Sequence, residues 1–198
     1  MMATATTNKS EPINTEQLYQ LILEQNKKIE QLEQDINKVG QDDTVSLVVF
    51  SNDLDRALAS FIIATGAAAM GMKVNLFFTF WGTSILKKQG VKVKGKKLVE
   101  KMFELMLPNS SKKLGLSQMN MLGAGSAMMK KIMKDQKVAS LEDMIDMISQ
   151  MPNVNIQICE MSMGLMGIKS EEIIGGENIC GVANFVSEAS KGKISMFI

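Results

Sequence analysis

The sequence predicts an α/β protein: a three-layer αβα domain with an open, mainly parallel sheet, preceded by a heptad-patterned N-terminal helix. Three observations predict this. The nearly continuous β-branched run Val45-Ser46-Leu47-Val48-Val49-Phe50 is the pattern of a strand buried on both faces. An uncharged stretch from Ala57 to Met72 and an apolar run after Lys73 complete a βαβ unit, which implies parallel strands with a right-handed crossover. Further short apolar runs then alternate with amphipathic segments to the C-terminus, as in layered α/β folds.

Taken in order, residues 1–13 are small and polar and read as a disordered tail. Asn14, with Gln17 three residues on, reads as a capping box for a helix over 14–40. Thr15, Leu18, Ile22, Gln25, Ile29, Leu32, Ile36 and Val39 fall at alternating a and d positions of that helix. Ile at a with Leu at d favours a two-stranded parallel coil, and Gln25 at d can fix its register. An amphipathic helix packed on its own domain fits the same stripe. Gly40-Gln41-Asp42-Asp43 reads as the link to the body, an α/β domain over 44–198.

Within that domain, Ser51-Asn52-Asp53 supplies N-cap chemistry for a helix running to about Met70, and Gly71 stops it. Lys73 to Phe80 is the second strand. Later strands are expected at 153–158, 193–198 and, briefly, near 177–180. Helices are expected at 97–107, 126–134, 141–150 and 182–190. Between them, about 82–136 reads as a Met/Gly/Lys-rich insertion in which Met119, Met121, Met128, Met129 and Met133 crowd together. Such methionines either fill an irregular core or form an adaptable flap or docking surface. The uncharged run before Lys73 is shorter than the roughly 20 residues that span a bilayer, so a helix–turn–strand is expected there.

Composition narrows the chemistry. The chain contains no histidine, which removes imidazole triads, imidazole metal sites and imidazole acid–base catalysis together. Its two cysteines, Cys159 and Cys180, have neither C-x-x-C spacing nor enough partners for structural zinc, so neither a metal nor a cofactor is expected. A net charge of +1 and few aromatics argue against nucleic acid as a partner. The start of the chain carries no secretory pattern, so a cytoplasmic setting with reduced thiols is expected. The lysines at 112, 113, 130, 131 and 134 read as a solvated face, with an anionic surface as the alternative.

The candidate catalytic residue is Cys159. The run Asn153-Val154-Asn155-Ile156-Gln157-Ile158 ends directly in it, and Glu160-Met161-Ser162 then opens a helical turn. Ligands gather at the carboxyl ends of strands in open α/β sheets. A thiol there lies in the field of a helix N-terminus, which favours the thiolate. An inert, buried thiol is the plainer reading of the same position. Asn52, Asp53, Arg56, Trp81, Gly82, Glu160 and Met161 are the expected pocket-lining residues. Arg56 would present a cation to an anionic sulfur, whereas Glu160 would oppose a low thiol pKa. Asn52, Asp53 and Arg56 equally suit simple capping and a solvated first turn, and Thr83 and Ser84 suit a helix cap. Gly123-Ala124-Gly125 lacks a preceding strand and a third glycine, so it is not a dinucleotide fingerprint.

Four stretches together resemble the DsrE/DsrF-like family of sulfur carriers and sulfurtransferases. They are V-S-L-V-V-F-S-N-D-L-D-R-A, M-K-V-N-L-F-F-T-F-W-G, N-V-N-I-Q-I-C-E-M-S-M-G-L-M-G-I and the terminal G-V-A-N-F-V-S-E-A-S-K-G-K-I-S-M-F-I. The Met/Gly/Lys-rich centre resembles a longer subgroup. The resemblance implies an αβα domain whose strand-end cysteine, here Cys159, carries sulfane sulfur as a persulfide. It also implies trimers or hexamers, where the heptad rule gives a dimer, and donor and acceptor proteins as partners. Cys180 does not match the carrier position, and reads as a structural or a resolving thiol. The competing reading is a non-catalytic assembly or membrane-peripheral module built on the coil and the Met-rich segment.

Overall fold

The computed structural model describes residues 14–38, 42–91, 93 and 97–198. The expected tail over 1–13, the heptad position Val39 and the linker residues Gly40 and Gln41 lie outside them. The chain divides into two compact units, Met1–Val39 and Gly40–Ile198. In the first, α1 spans Thr15–Lys38, and the Asn14 N–H donates to Gln17 Oε1 at 3.2 Å, one half of the expected capping box.

The second unit begins with β1 (Asp42–Val49), α2 (Leu54–Ala69) and β2 (Lys73–Phe78). A 3-10 turn over Phe80–Leu86 follows, then α3 (Leu98–Met106), α4 (Ala124–Asp135) and α5 (Leu141–Ser149). The chain finishes with β3 (Val154–Cys159), α6 (Glu160–Met166), β4 (Ile179–Cys180), α7 (Val182–Ala189) and β5 (Gly192–Phe197). Among the described residues the sheet has five strands in the order β4-β3-β2-β1-β5. Every pairing is parallel, so the expected "mainly parallel" sheet is parallel throughout.

Register divides the sheet into two faces. Val45, Val74 and Val154 align across β1, β2 and β3, as do Leu47, Leu76 and Ile156, and then Val49, Phe78 and Ile158. This face meets α2 and α5, with Phe61 of α2 against Phe78 at 6.0 Å between ring centroids. Phe61 is fully buried, worth about 1.5–3 kcal/mol of apolar transfer. Ser140 and Asp143 form the capping box that starts α5, and Asn153 Nδ2 bonds the Ala68 and Met72 carbonyls to tie the end of α2 to β3. Gly71, at φ 82°, makes the turn between α2 and β2 in a conformation that L side chains rarely adopt.

The opposite face carries Val48, Phe77, Gln157 and Cys159, and α7 covers it through Phe185 and Ala189. The rings of Phe77 and Phe185 stack at 4.7 Å. Helices on both faces make the three layers that the sequence predicts.

Some boundaries differ from expectation, each for a local reason. β1 starts at Asp42, so the end of the supposed linker is strand, and Asp42 pairs with Gly192 of β5. β2 stops at Phe78 because Phe80 turns to φ 46° and Gly82 closes onto β1. A Cβ on Gly82 would lie 2.1 Å from the Val49 carbonyl oxygen, so only glycine fits. Asp53 is the N-cap of α2 but makes no side-chain cap bond; it accepts from Ser51 Oγ at 2.7 Å instead. Thr83 and Ser84 lie inside the 3-10 turn rather than capping a helix, and Thr79 holds its N-cap position.

Candidate functional site

Cys159 is the last residue of β3 and the N-cap of α6, with φ −68° and ψ 114°. Glu160, Met161 and Ser162 are therefore the first three residues of α6. At an N-cap the side chain faces the N–H groups two and three residues on. A sulfur makes no full-geometry cap bond here. Burial pushes the Cys159 thiol up, but the polar groups around it outweigh this and hold the thiol below its ordinary pKa. They are the Ser162 hydroxyl and N–H, the Thr79 hydroxyl and the Met161 N–H, with the two hydroxyls sharing one free proton between them.

The hydroxyls are themselves positioned. Ser162 Oγ lies 2.9 Å from Thr79 Oγ1 and accepts from the Phe80 N–H at 2.9 Å. Each hydroxyl has one proton to give. Whichever donates to the other, the remaining O–H is free for the sulfur. Ser162 is fully buried and Thr79 nearly so, which keeps this proton away from bulk water. Phe80, whose N–H makes the bond to Ser162, sits at a left-handed φ of 46°, a backbone state that costs about 1–3 kcal/mol.

Cys159 itself is only 3% exposed. It packs with Phe77 and Phe185, and with Val48, Cys180 and Ala189 at the edge of that cluster. Gln157 Nε2 on β3 donates to Glu188 Oε2 on α7 at 2.8 Å, a second clasp holding the helix over the sulfur. At 3% exposure the Cys159 sulfur is covered by α7 and the strand ends. Cys180 stands opposite Cys159 in the β3–β4 pairing and is partly exposed. Burial pushes its thiol up, the Glu188 carboxylate and Cys159 add to this, and a bond to Asn184 only partly offsets them.

The expected pocket residues are spread more widely. Asn52 Nδ2 bonds Ser84 Oγ at 3.1 Å, joining the end of β1 to the 3-10 turn. Arg56 pairs with Asp53 at 3.5 Å at the start of α2, the layer on the opposite sheet face from Cys159. Trp81 is 41% exposed, while Gly82 is buried against Val49 and donates to the Phe50 carbonyl at 2.7 Å. Glu160 and Met161 both point to solvent, although the Met161 N–H faces the sulfur. Among the described residues, no cluster of acidic or thiol side chains could hold a metal ion. Nor is any helix there long and apolar enough to cross a membrane.

Sequence reasoning missed Thr79 and Ser162. The signal for Ser162 was present as C-x-x-S, an N-cap followed by a hydroxyl at the third helical position. Nothing in the sequence pointed to Thr79. The methionine-rich segment has its own feature. Met119, Met121, Met128 and Met129 line an apolar cavity of about 450 Å³ beside Asp55, which accepts from the Ser117 N–H at 2.9 Å, whereas Met133 packs on the core.

A model of the DsrE/DsrF/DrsH-like family matches residues 41–197. The chain is 39% identical over 153 residues to the uncharacterized protein YrkE of Bacillus subtilis (strain 168), covering 77% of this chain and 95% of that one. It is 32% identical over 155 residues to the sulfur carrier protein DsrE2 of Allochromatium vinosum, covering 78% of this chain and 97% of that one.

Proposed function

This chain belongs to the DsrE/DsrF/DrsH-like family, and on that premise we propose a sulfur-relay function in which Cys159 carries sulfane sulfur as a persulfide. The Cys159 thiolate attacks the outer sulfur of a donor persulfide, the donor's S–S bond breaks, and the donor leaves as a thiolate. A partner thiolate repeats the exchange to take the sulfur away. Atoms and electrons balance without a cofactor, which suits a chain with no imidazole base. Support comes from similarity to a relative named as a sulfur carrier. The observation that carries the reading is the donor set around Cys159, because the thiolate is the attacking species and these donors lower the thiol pKa.

Donor and acceptor proteins are the partners this role requires, and a cytoplasmic setting keeps the resting thiol reduced. For assembly, the family resemblance gives threefold states and the heptad of α1 a twofold one. Native mass spectrometry of the full chain separates them. For the sulfur chemistry, the reduced protein is incubated with glutathione persulfide and the cysteine peptides are mapped by mass spectrometry. One added sulfur on the Cys159 peptide, absent in Cys159→Ser, is the expected result. A Cys159 that stays unmodified while the donor is consumed elsewhere would refute the proposal.

A further inference from the structure

Cys180 stands out once the register is known. Cys159 and Cys180 are direct partners across the parallel β3–β4 pair, so both side chains leave the sheet on the same face. Neighbouring strands lie about 4.8 Å apart. That is inside the Cα separation of roughly 4.4–6.8 Å over which cysteines can be bridged. Cys159 is buried in the cluster with Phe77 and Phe185, and the partly exposed Cys180 packs against its edge. β4 is a two-residue edge strand followed by Gly181, so Cys180 can close the remaining gap without disturbing the sheet centre.

We propose that Cys180 is the resolving thiol of this site: it attacks the inner sulfur of a Cys159 persulfide, releases the outer sulfur as hydrosulfide and leaves a Cys159–Cys180 disulfide. The inference rests on the sulfur-accepting reading of Cys159. In this step the Cys159–sulfane S–S bond breaks and the Cys159–Cys180 S–S bond forms. The sulfane sulfur takes up two electrons and the two cysteine sulfurs give them. The Cys180 thiol first passes its proton to the outer sulfur of the persulfide anion, and the Cys180 thiolate so formed makes the attack, so that the departing sulfur leaves as hydrosulfide. External thiols restore the resting pair by two successive exchanges, the first giving a mixed disulfide.

The division of labour follows from the surroundings. Cys159 has the donors that favour its thiolate, so it captures the incoming sulfur. Cys180, near the Glu188 carboxylate, rests as the thiol and holds the proton that the leaving sulfur needs. Because Cys159 is buried, its persulfide meets Cys180 more readily than a second chain. A sulfur that finds no acceptor is thereby discharged as hydrosulfide.

The test uses the full reduced chain, loaded with glutathione persulfide and freed of donor. Wild type, Cys180→Ser and Cys180→Ala are then followed by non-reducing mass spectrometry and by hydrosulfide release. In wild type the added sulfur disappears as a Cys159–Cys180 peptide and hydrosulfide appear together. An internal thiol acts at millimolar effective concentration, so both variants should hold the sulfur at least about tenfold longer. Loading followed by equal decay in all three proteins, or decay without the bridged peptide, overturns the resolving role alone. Failure of all three proteins to load overturns the sulfur-accepting reading, and this inference with it.

Discussion

Phe185→Ala should open the site. Phe185 is the residue of α7 that closes over Cys159, 5% exposed and stacked on Phe77 at 4.7 Å. Truncating a buried Phe costs about 3–5 kcal/mol. The lower end applies here, because the cluster is small and lies at one side of the sheet rather than in the main core. The loss falls mainly on the docking of α7, which keeps the Gln157–Glu188 bond and the packing of Ala189. About 3 kcal/mol is roughly a hundredfold in the population of the opened state. Labelling of a buried thiol tracks that population when reclosing is fast. In a Cys180→Ser background, where Cys159 is the remaining cysteine of the two, iodoacetamide labelling should therefore accelerate by up to about a hundredfold. Hydrogen exchange should show α7 opened and β1 and β2 still protected. Labelling within twofold of the parent, with α7 shown to be loosened, would refute α7 as the gate.

Three further outcomes are expected. Ser162→Ala removes a hydroxyl facing Cys159 and leaves the Phe80 N–H and Thr79 unpaired, so it should slow thiol labelling near neutral pH and cost about 1–3 kcal/mol in urea unfolding. Unchanged labelling kinetics would remove the hydroxyl pair from the account. The two cysteines should also act oppositely on stability. The lowered Cys159 pKa gives a contribution fully present above the ordinary thiol pKa and lost as pH falls through the folded value. The raised Cys180 pKa destabilises the fold as pH rises, since the unfolded chain ionises first. Between neutral pH and about 9.5, the urea midpoint of Cys180→Ser should rise relative to that of Cys159→Ser, and parallel curves would contradict both assignments. Gly82→Ala places a Cβ 2.1 Å from the Val49 carbonyl and should lower the thermal midpoint by an amount equivalent to about 1–3 kcal/mol. A wild-type midpoint would show that the turn has room that the geometry denies.

Much of the fold was legible because it rests on local pattern. Val45 to Val49 read as a buried strand, and its register partners Leu76 and Phe78 came from an equally plain run. Cys159 was legible as a strand-end thiol for the same reason. What could not be read depends on register and on layer. Thr79 and Ser162 meet across 83 residues of sequence, and nothing in either segment marks the other. Cys180 became the partner of Cys159 only through the pairing of a two-residue strand, too short for any periodicity to fix. Asn52, Asp53 and Arg56 follow a strand end as expected, but Asp53 and Arg56 pair with each other at the start of α2, which packs on the far face of the sheet. A linear pattern shows where a strand ends, not which side of it the next helix covers.

The central claim is that Cys159 binds transferable sulfur, and the most direct measurement is cyanolysis of the persulfide-treated chain. Treated Cys180→Ser protein, freed of donor, should release close to one thiocyanate per chain. Cys159→Ser should release none above background. Thiocyanate released equally by the two variants, or by neither, would contradict the account.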